Sequence, residues 1–156
     1  MQTEPTDLTV LRDSGTKLLT WHGITDDIIP HEGTVEYRKR VQHEMGGTTE
    51  VDKFYRLFLA PGVGHCALAR GPIPTDPLAA LVDWVEKGEA PEAIDAVTVN
   101  EAGETITRQL CKWPAKSVYM GVGDPKKASS WTCSSSRKMS GTVNDSNARG
   151  GEHDEL

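Results

Sequence analysis

Two stretches decide the fold: Thr16–Pro30, TKLLTWHGITDDIIP, and Phe54–Cys66, FYRLFLAPGVGHC. Each runs from an apolar strand into a loop that carries a glycine and a histidine. The first strand, Lys17–Trp21, ends at His22-Gly23. The second, Phe54–Ala60, is nearly continuous in apolar content, as a strand buried on both faces of a parallel sheet should be. Between them, residues 33–45 (GTVEYRKRVQHEM) read as a helix that offers Val35, Tyr37 and Val41 as its apolar side, until Gly46-Gly47 breaks it.

Working outward, the loop at 70–77 leads into a second helix, LAALVDWVEKG, with Leu78, Leu81, Val82 and Val85 expected on one face. Asp76 can cap its start, Pro77 suits the first helical position, and Gly88 closes it. Residues 17–88 therefore alternate strand, helix, strand, helix, two consecutive units of a parallel α/β sheet. Next, AVTVNEAGETITRQL (96–110) alternates apolar and polar residues around an Ala-Gly turn and predicts a hairpin. From Ser134 the chain is polar and Ser/Gly-rich, and disorder is expected over 134–156. Two parallel strands with two helices leave sheet edges open, so the segment reads as the C-terminal end of a larger sheet.

The bulk numbers exclude several classes. The 156 residues carry a formal net charge of -6 and no basic stripe, which argues against nucleic acid as a partner. No run approaches the roughly eighteen apolar residues of a membrane span, so no membrane association is expected. Residues 1–10, MQTEPTDLTV, have neither the basic nor the apolar region of a signal peptide, whereas 153–156 spell HDEL, a retention address for the endoplasmic reticulum. The expected location is thus the secretory pathway, secreted or luminal, provided that an entry signal lies upstream. Three cysteines, Cys66, Cys111 and Cys133, leave one orphan if a pair forms, and the sequence alone does not assign that pair.

In open α/β sheets, chemistry gathers where strand carboxyl ends meet the loops. The first loop here brings His22, Asp26, Asp27 and His31, and the second brings His65. Parallel neighbours put these ends on one side, so an acid of the first loop can orient the imidazole of His65. Those are two members of a hydrolase triad, and acid before histidine is the chain order of the α/β-hydrolases. A lone histidine on a glycine-rich loop is commonly structural; the acid on the neighbouring strand end puts the catalytic reading on equal footing. A nucleophile should lie upstream, but there is no G-x-S-x-G. Ser14 precedes the first strand, Ser134–Ser136 follow the histidine without elbow glycines, and Cys66 sits next to His65, where adjacent side chains tend to diverge. A metal site from His22, Asp26 and His31 is conceivable but matches no strong ligand spacing.

The blocks TKLLTWHGITDDIIP, FYRLFLAPGVGHC, LAALVDWVEKGEAPEAI and RQLCKWPAKSVYMGVGDPKKASSWTC, spanning about residues 7–133, resemble the C-terminal portion of the tannase/feruloyl esterase family. The resemblance implies an α/β fold: the last two strand-helix units of an α/β-hydrolase sheet, plus a short hairpin and a polar tail. It divides the chain into a C-terminal part of that domain, 1–133, and the tail, 134–156. It places the catalytic acid on Asp26 rather than Asp27, and the base on His65. Cys66 would pair with a cysteine just before the nucleophilic serine, in a G-C-S-x-G-G turn absent from these residues, and Cys111 would pair with Cys133.

By the same resemblance, the family's lid domain, with a structural calcium site and most substrate contacts, has no counterpart here, so no cofactor is expected in this chain. The expected function is hydrolysis of aromatic carboxylic esters by a Ser-His-Asp mechanism. These residues would contribute Asp26 and His65 without the serine, and would be inactive alone. Expected partners are a small aromatic ester and the N-terminal part of the same enzyme. The competing expectation is a non-catalytic luminal binding protein derived from the esterase scaffold.

Overall fold

A computed structural model describes residues 5–67 and 70–135. A short helix, α1 (Thr9–Asp13), precedes β1 (Leu18–Gly23), which is followed by α2 (His31–Glu44), the single turn α3 (Thr48–Val51) and β2 (Tyr55–Ala60). After the histidine loop come β3 (Ile73–Pro74), α4 (Pro77–Lys87), β4 (Ala93–Val99), β5 (Thr105–Cys111), β6 (Lys116–Tyr119) and β7 (Trp131–Ser134). β1 and β2 pair in parallel from Leu18 opposite Tyr55 to Gly23 opposite Ala60, so both strands end at the same height. β3, β4 and β5 form an antiparallel sheet, and β6 pairs antiparallel with β7.

β2 is the spine of the fold. Tyr55, Leu57, Phe58 and Ala60 are all nearly inaccessible, as a nearly continuous apolar run requires of a strand covered on both sides. Phe58 and Ala60 join Val63, Ile94, Ala96 and Leu110 in one core cluster, while Tyr55 joins Val41, Met45, Val51 and Phe54 in the other. The far edge of β2 is tied to the end of β5 by a bridge between Phe58 and Lys112 and by the Trp113 N–H donating to the Leu57 carbonyl (2.8 Å). The outer edge of β1 has no strand partner among the described residues.

Two helices present faces that periodicity does not give. In α2, Val41 is buried as expected, but Val35 and Tyr37 are only half-buried, and the largest buried side chain is Arg38. Its guanidinium is neutralised by Asp52 at 2.6 Å, donates to the Tyr55 carbonyl at 3.2 Å, and stacks over the Tyr55 ring. A paired arginine can occupy a core position that a hydrophobicity pattern assigns to solvent. α4 begins and ends as its residues require: Asp76 accepts from the Ala79 N–H (2.9 Å), Pro77 opens it, and Gly88 takes φ +75°. Its packed side, however, is built on Trp84, while Leu78, Val82 and Val85 of the expected apolar face are exposed. The indole is flanked by Arg56 and Lys17, which lie 5.3 Å and 5.6 Å from its centroid.

The hairpin turns at residues 100–104. The Asn100 side-chain oxygen accepts from the N–H groups of Ala102 and Glu104, and Gly103 takes φ +78°, so the asparagine and the expected Ala-Gly pair form the turn together. Cys111, at the end of β5, is bonded to Cys133 in β7 across 22 positions. Ser134 is the last residue of β7, so order extends past 133; the remainder of the expected tail, including HDEL, lies outside the described residues apart from Ser135. Constraining a loop of this length is worth about 3 kcal/mol in the chain-entropy treatment. Chemical denaturation of Cys133→Ser is therefore expected to show stability lower by about that amount. An unchanged denaturation midpoint would show that the bond constrains nothing the fold uses.

Candidate active site

The carboxyl ends of β1 and β2 are stitched together beyond the strands. The Ile24 N–H donates to the Ala60 carbonyl (3.0 Å), and the Thr25 N–H donates to the Val63 carbonyl (3.1 Å). The Gly71 N–H donates to the Gly62 carbonyl (2.9 Å), which closes the base of the histidine loop. Two glycines make this approach possible. A Cβ on Gly23 would lie 2.2 Å from the Val63 carbonyl oxygen, and one on Gly71 would lie 2.1 Å from that of Pro61. With both loops this close, Asp26 and His65 are delivered to the same place.

Asp26 accepts three hydrogen bonds. Its Oδ1 takes the N–H groups of Ile28 (3.0 Å) and Ile29 (2.8 Å), which fold the acid into its own turn. Its Oδ2 lies 3.1 Å from His65 Nδ1. The Asp26 side chain is 8 % exposed and that of His65 31 %, so the carboxylate is sheltered while the imidazole reaches the surface. Nδ1 faces a carboxylate and therefore carries the proton in the neutral ring, which leaves Nε2 as the basic nitrogen. Nε2 has no partner among the described residues. This arrangement suits removal of a proton from a group placed at Nε2.

The backbone N–H of Ile29, with help from His65 and Ile28, holds the Asp26 carboxyl below its ordinary value of 3.8 against the opposing effect of burial. A carboxyl depressed by folding stabilises the fold above the unfolded-state value and loses that contribution as pH falls through the folded value. The stability difference between the unaltered chain and Asp26→Asn should thus be constant near neutrality and shrink below about pH 3.8. Denaturation series at several pH values check this. A difference that does not change between neutrality and acid would contradict it.

The other residues singled out in the sequence fall elsewhere. Asp27 is exposed. His31 opens α2 and pairs with Glu32 (3.4 Å) rather than with His22 or Asp26. Among the described residues, no group of three or more His, Cys, Asp or Glu side chains is arranged to hold a metal ion. Cys66 is a free, exposed thiol on left-handed backbone (φ 53°), followed by Ala67 in the same region (φ 59°). Ser14 precedes β1, at the opposite end of the strand from His65, and its hydroxyl is bonded to the Leu11 carbonyl. Ser134 and Ser135 belong to the β7 end of the molecule. The environment of His22, described below, was not legible from its spacing.

An acid turn and a histidine loop thus meet at the ends of adjacent parallel strands. A family profile described as "Tannase and feruloyl esterase" matches residues 1–134, and the chain belongs to that family. It is 50% identical over 131 residues to a probable feruloyl esterase of Arthroderma benhamiae, covering 81% of this chain and 24% of that protein. It is 34% identical over 148 residues to a tannase of Aspergillus oryzae, covering 85% and 25%. Its fold matches the crystal structure of feruloyl esterase B from Aspergillus oryzae with a TM-score of 0.74 and 33% identity, covering 83% of this chain and 29% of that one. The chain spans about a quarter of the length of these relatives. Among the described residues, no helix is long and apolar enough to cross a membrane.

Proposed function

We propose that these residues supply the acid and the base of a serine carboxylic ester hydrolase of α/β-hydrolase fold that acts on esters of aromatic acids. The observation that carries this reading is the Asp26 Oδ2–His65 Nδ1 contact of 3.1 Å, made by an imidazole that is partly exposed. Asp26 fixes the imidazole with its proton on Nδ1. His65 Nε2 then takes the proton of a serine hydroxyl, and the serine oxygen attacks the ester carbonyl to give a tetrahedral intermediate. Collapse expels the alcohol, which receives the proton from His65. Water, deprotonated in turn by His65, releases the acid from the acyl-serine.

The serine in this reading lies in a part of the protein beyond these 156 residues, consistent with their quarter share of the relatives' length. Cys66, exposed beside His65, is its tether: a disulfide to the residue before the serine would hold nucleophile and base within reach. Relatives named as feruloyl esterases and as tannase support aromatic acid esters as the substrate class. The test is hydrolysis of methyl ferulate and methyl gallate by the complete protein, beside the isolated 156 residues. Turnover by the complete protein alone supports the assignment. Turnover by the isolated chain that is lost in His65→Ala would mean that the nucleophile is within these residues.

A further inference from the structure

The active pair has a second imidazole behind it. His22, in β1, places its Nδ1 2.8 Å from the Thr34 hydroxyl in α2 and its Nε2 3.0 Å from the Ile29 carbonyl. The same Nε2 is 3.6 Å from Asp26 Oδ2. Ile29 is thus gripped from both sides: its N–H donates to Asp26 Oδ1 (2.8 Å), while its carbonyl faces His22.

The chemistry of the partners fixes the state of the ring. A carbonyl only accepts, so Nε2 must carry a proton. Nδ1 can then remain bare and accept from the Thr34 O–H, so a neutral ring satisfies both contacts. With both nitrogens engaged and the side chain 15 % exposed, His22 has no free lone pair for a metal or a substrate proton.

We propose that His22 is a positioning residue: as the Nε2–H tautomer it locks the turn from Asp26 to Ile29 against β1 and α2, and so holds the carboxylate on His65. The proposal rests on the reading of Asp26 and His65 as the active pair. Without the His22 donor, the Ile29 peptide is free to turn away from β1, and the acid that depends on the Ile29 N–H goes with it. The relay runs from Thr34 through His22 and Ile29 to Asp26 and His65.

Long-range proton–nitrogen correlation spectra of the complete protein, labelled with nitrogen-15 at histidine and taken without substrate where the imidazoles are neutral, test it. His22 should appear protonated on Nε2 and bare on Nδ1, and the His65 Nδ1 proton bridging to Asp26 should give a separate downfield line. In His22→Phe, which keeps a ring without the N–H, that line should be lost to exchange with water. In His22→Gln, whose amide N–H reaches the Nε2 position, it should persist. Should His22→Phe fail to fold, Thr34→Val removes only the hydroxyl that orients the ring and should weaken the same line. His22 protonated on Nδ1, or a His65 line unchanged in the folded variants, would overturn the proposal. A line missing from the unaltered chain would count instead against the Asp26–His65 pair, with the His22 tautomer still read independently.

Discussion

Replacing His65 by alanine in the complete protein is expected to lower kcat for methyl ferulate on the order of 10⁴-fold or more, with little change in KM. The imidazole acts on protons that move only during reaction, so its loss is felt in the transition state rather than in ground-state binding. Asp26→Asn should cost about as much, on the order of 10⁴-fold, by a different route. An amide can donate to Nδ1 and so stabilise the ring with its proton on Nε2, the wrong tautomer for a base, while leaving the 3.1 Å geometry nearly intact. Asp27→Asn, at an exposed position one residue away, serves as the control and should leave turnover unchanged. Steady-state kinetics on the four proteins decide the matter. A loss of less than about tenfold in His65→Ala would remove the general-base role.

Gly23→Ala should damage both fold and site. The new methyl would stand 2.2 Å from a backbone oxygen that cannot rotate aside, so the Val63 loop or the end of β1 must move. Overpacking typically costs about 1–3 kcal/mol, and a clash with backbone belongs at or beyond the upper end. Displacement of a catalytic group by about 1 Å can cost on the order of 10²-fold in rate, so turnover should fall with stability. The two effects separate by temperature: well below the unfolding midpoint, turnover should still be reduced. Full activity there would show that the close approach at Gly23 does not set the distance between the two loops.

Much of the site's placement was legible because it depends on local rules. Two apolar runs of strand length, each leading into a loop that carries a glycine, with a helical stretch between, suffice to align Gly23 with Ala60 and bring both loops to one end. The helix caps at Asp76 and Gly88 are likewise local. What pattern reading missed was set by partners distant in sequence. Arg38 is buried where Asp52 and the Tyr55 carbonyl receive it, and Trp84 is buried with two cations over its ring. His22 reads as an ordinary loop-side histidine until Thr34 and Ile29 are seen on either side of its ring. The pairing of Cys111 with Cys133, which the structure bears out, came from family resemblance, since three cysteines permit three pairs. The preference for Asp26 over Asp27 came from family resemblance, and no spacing rule separates two adjacent acids.

The central claim is that His65 serves a serine held beside it through Cys66. The most direct measurement is non-reducing peptide mapping of the native protein after treatment with a fluorophosphonate, which a reactive serine attacks with loss of fluoride. The account predicts a single labelled serine, outside these 156 residues, in a peptide joined to Cys66 by a disulfide. A label on a serine within residues 1–156, or Cys66 recovered as a free thiol with the labelled serine in an unconnected peptide, would contradict it.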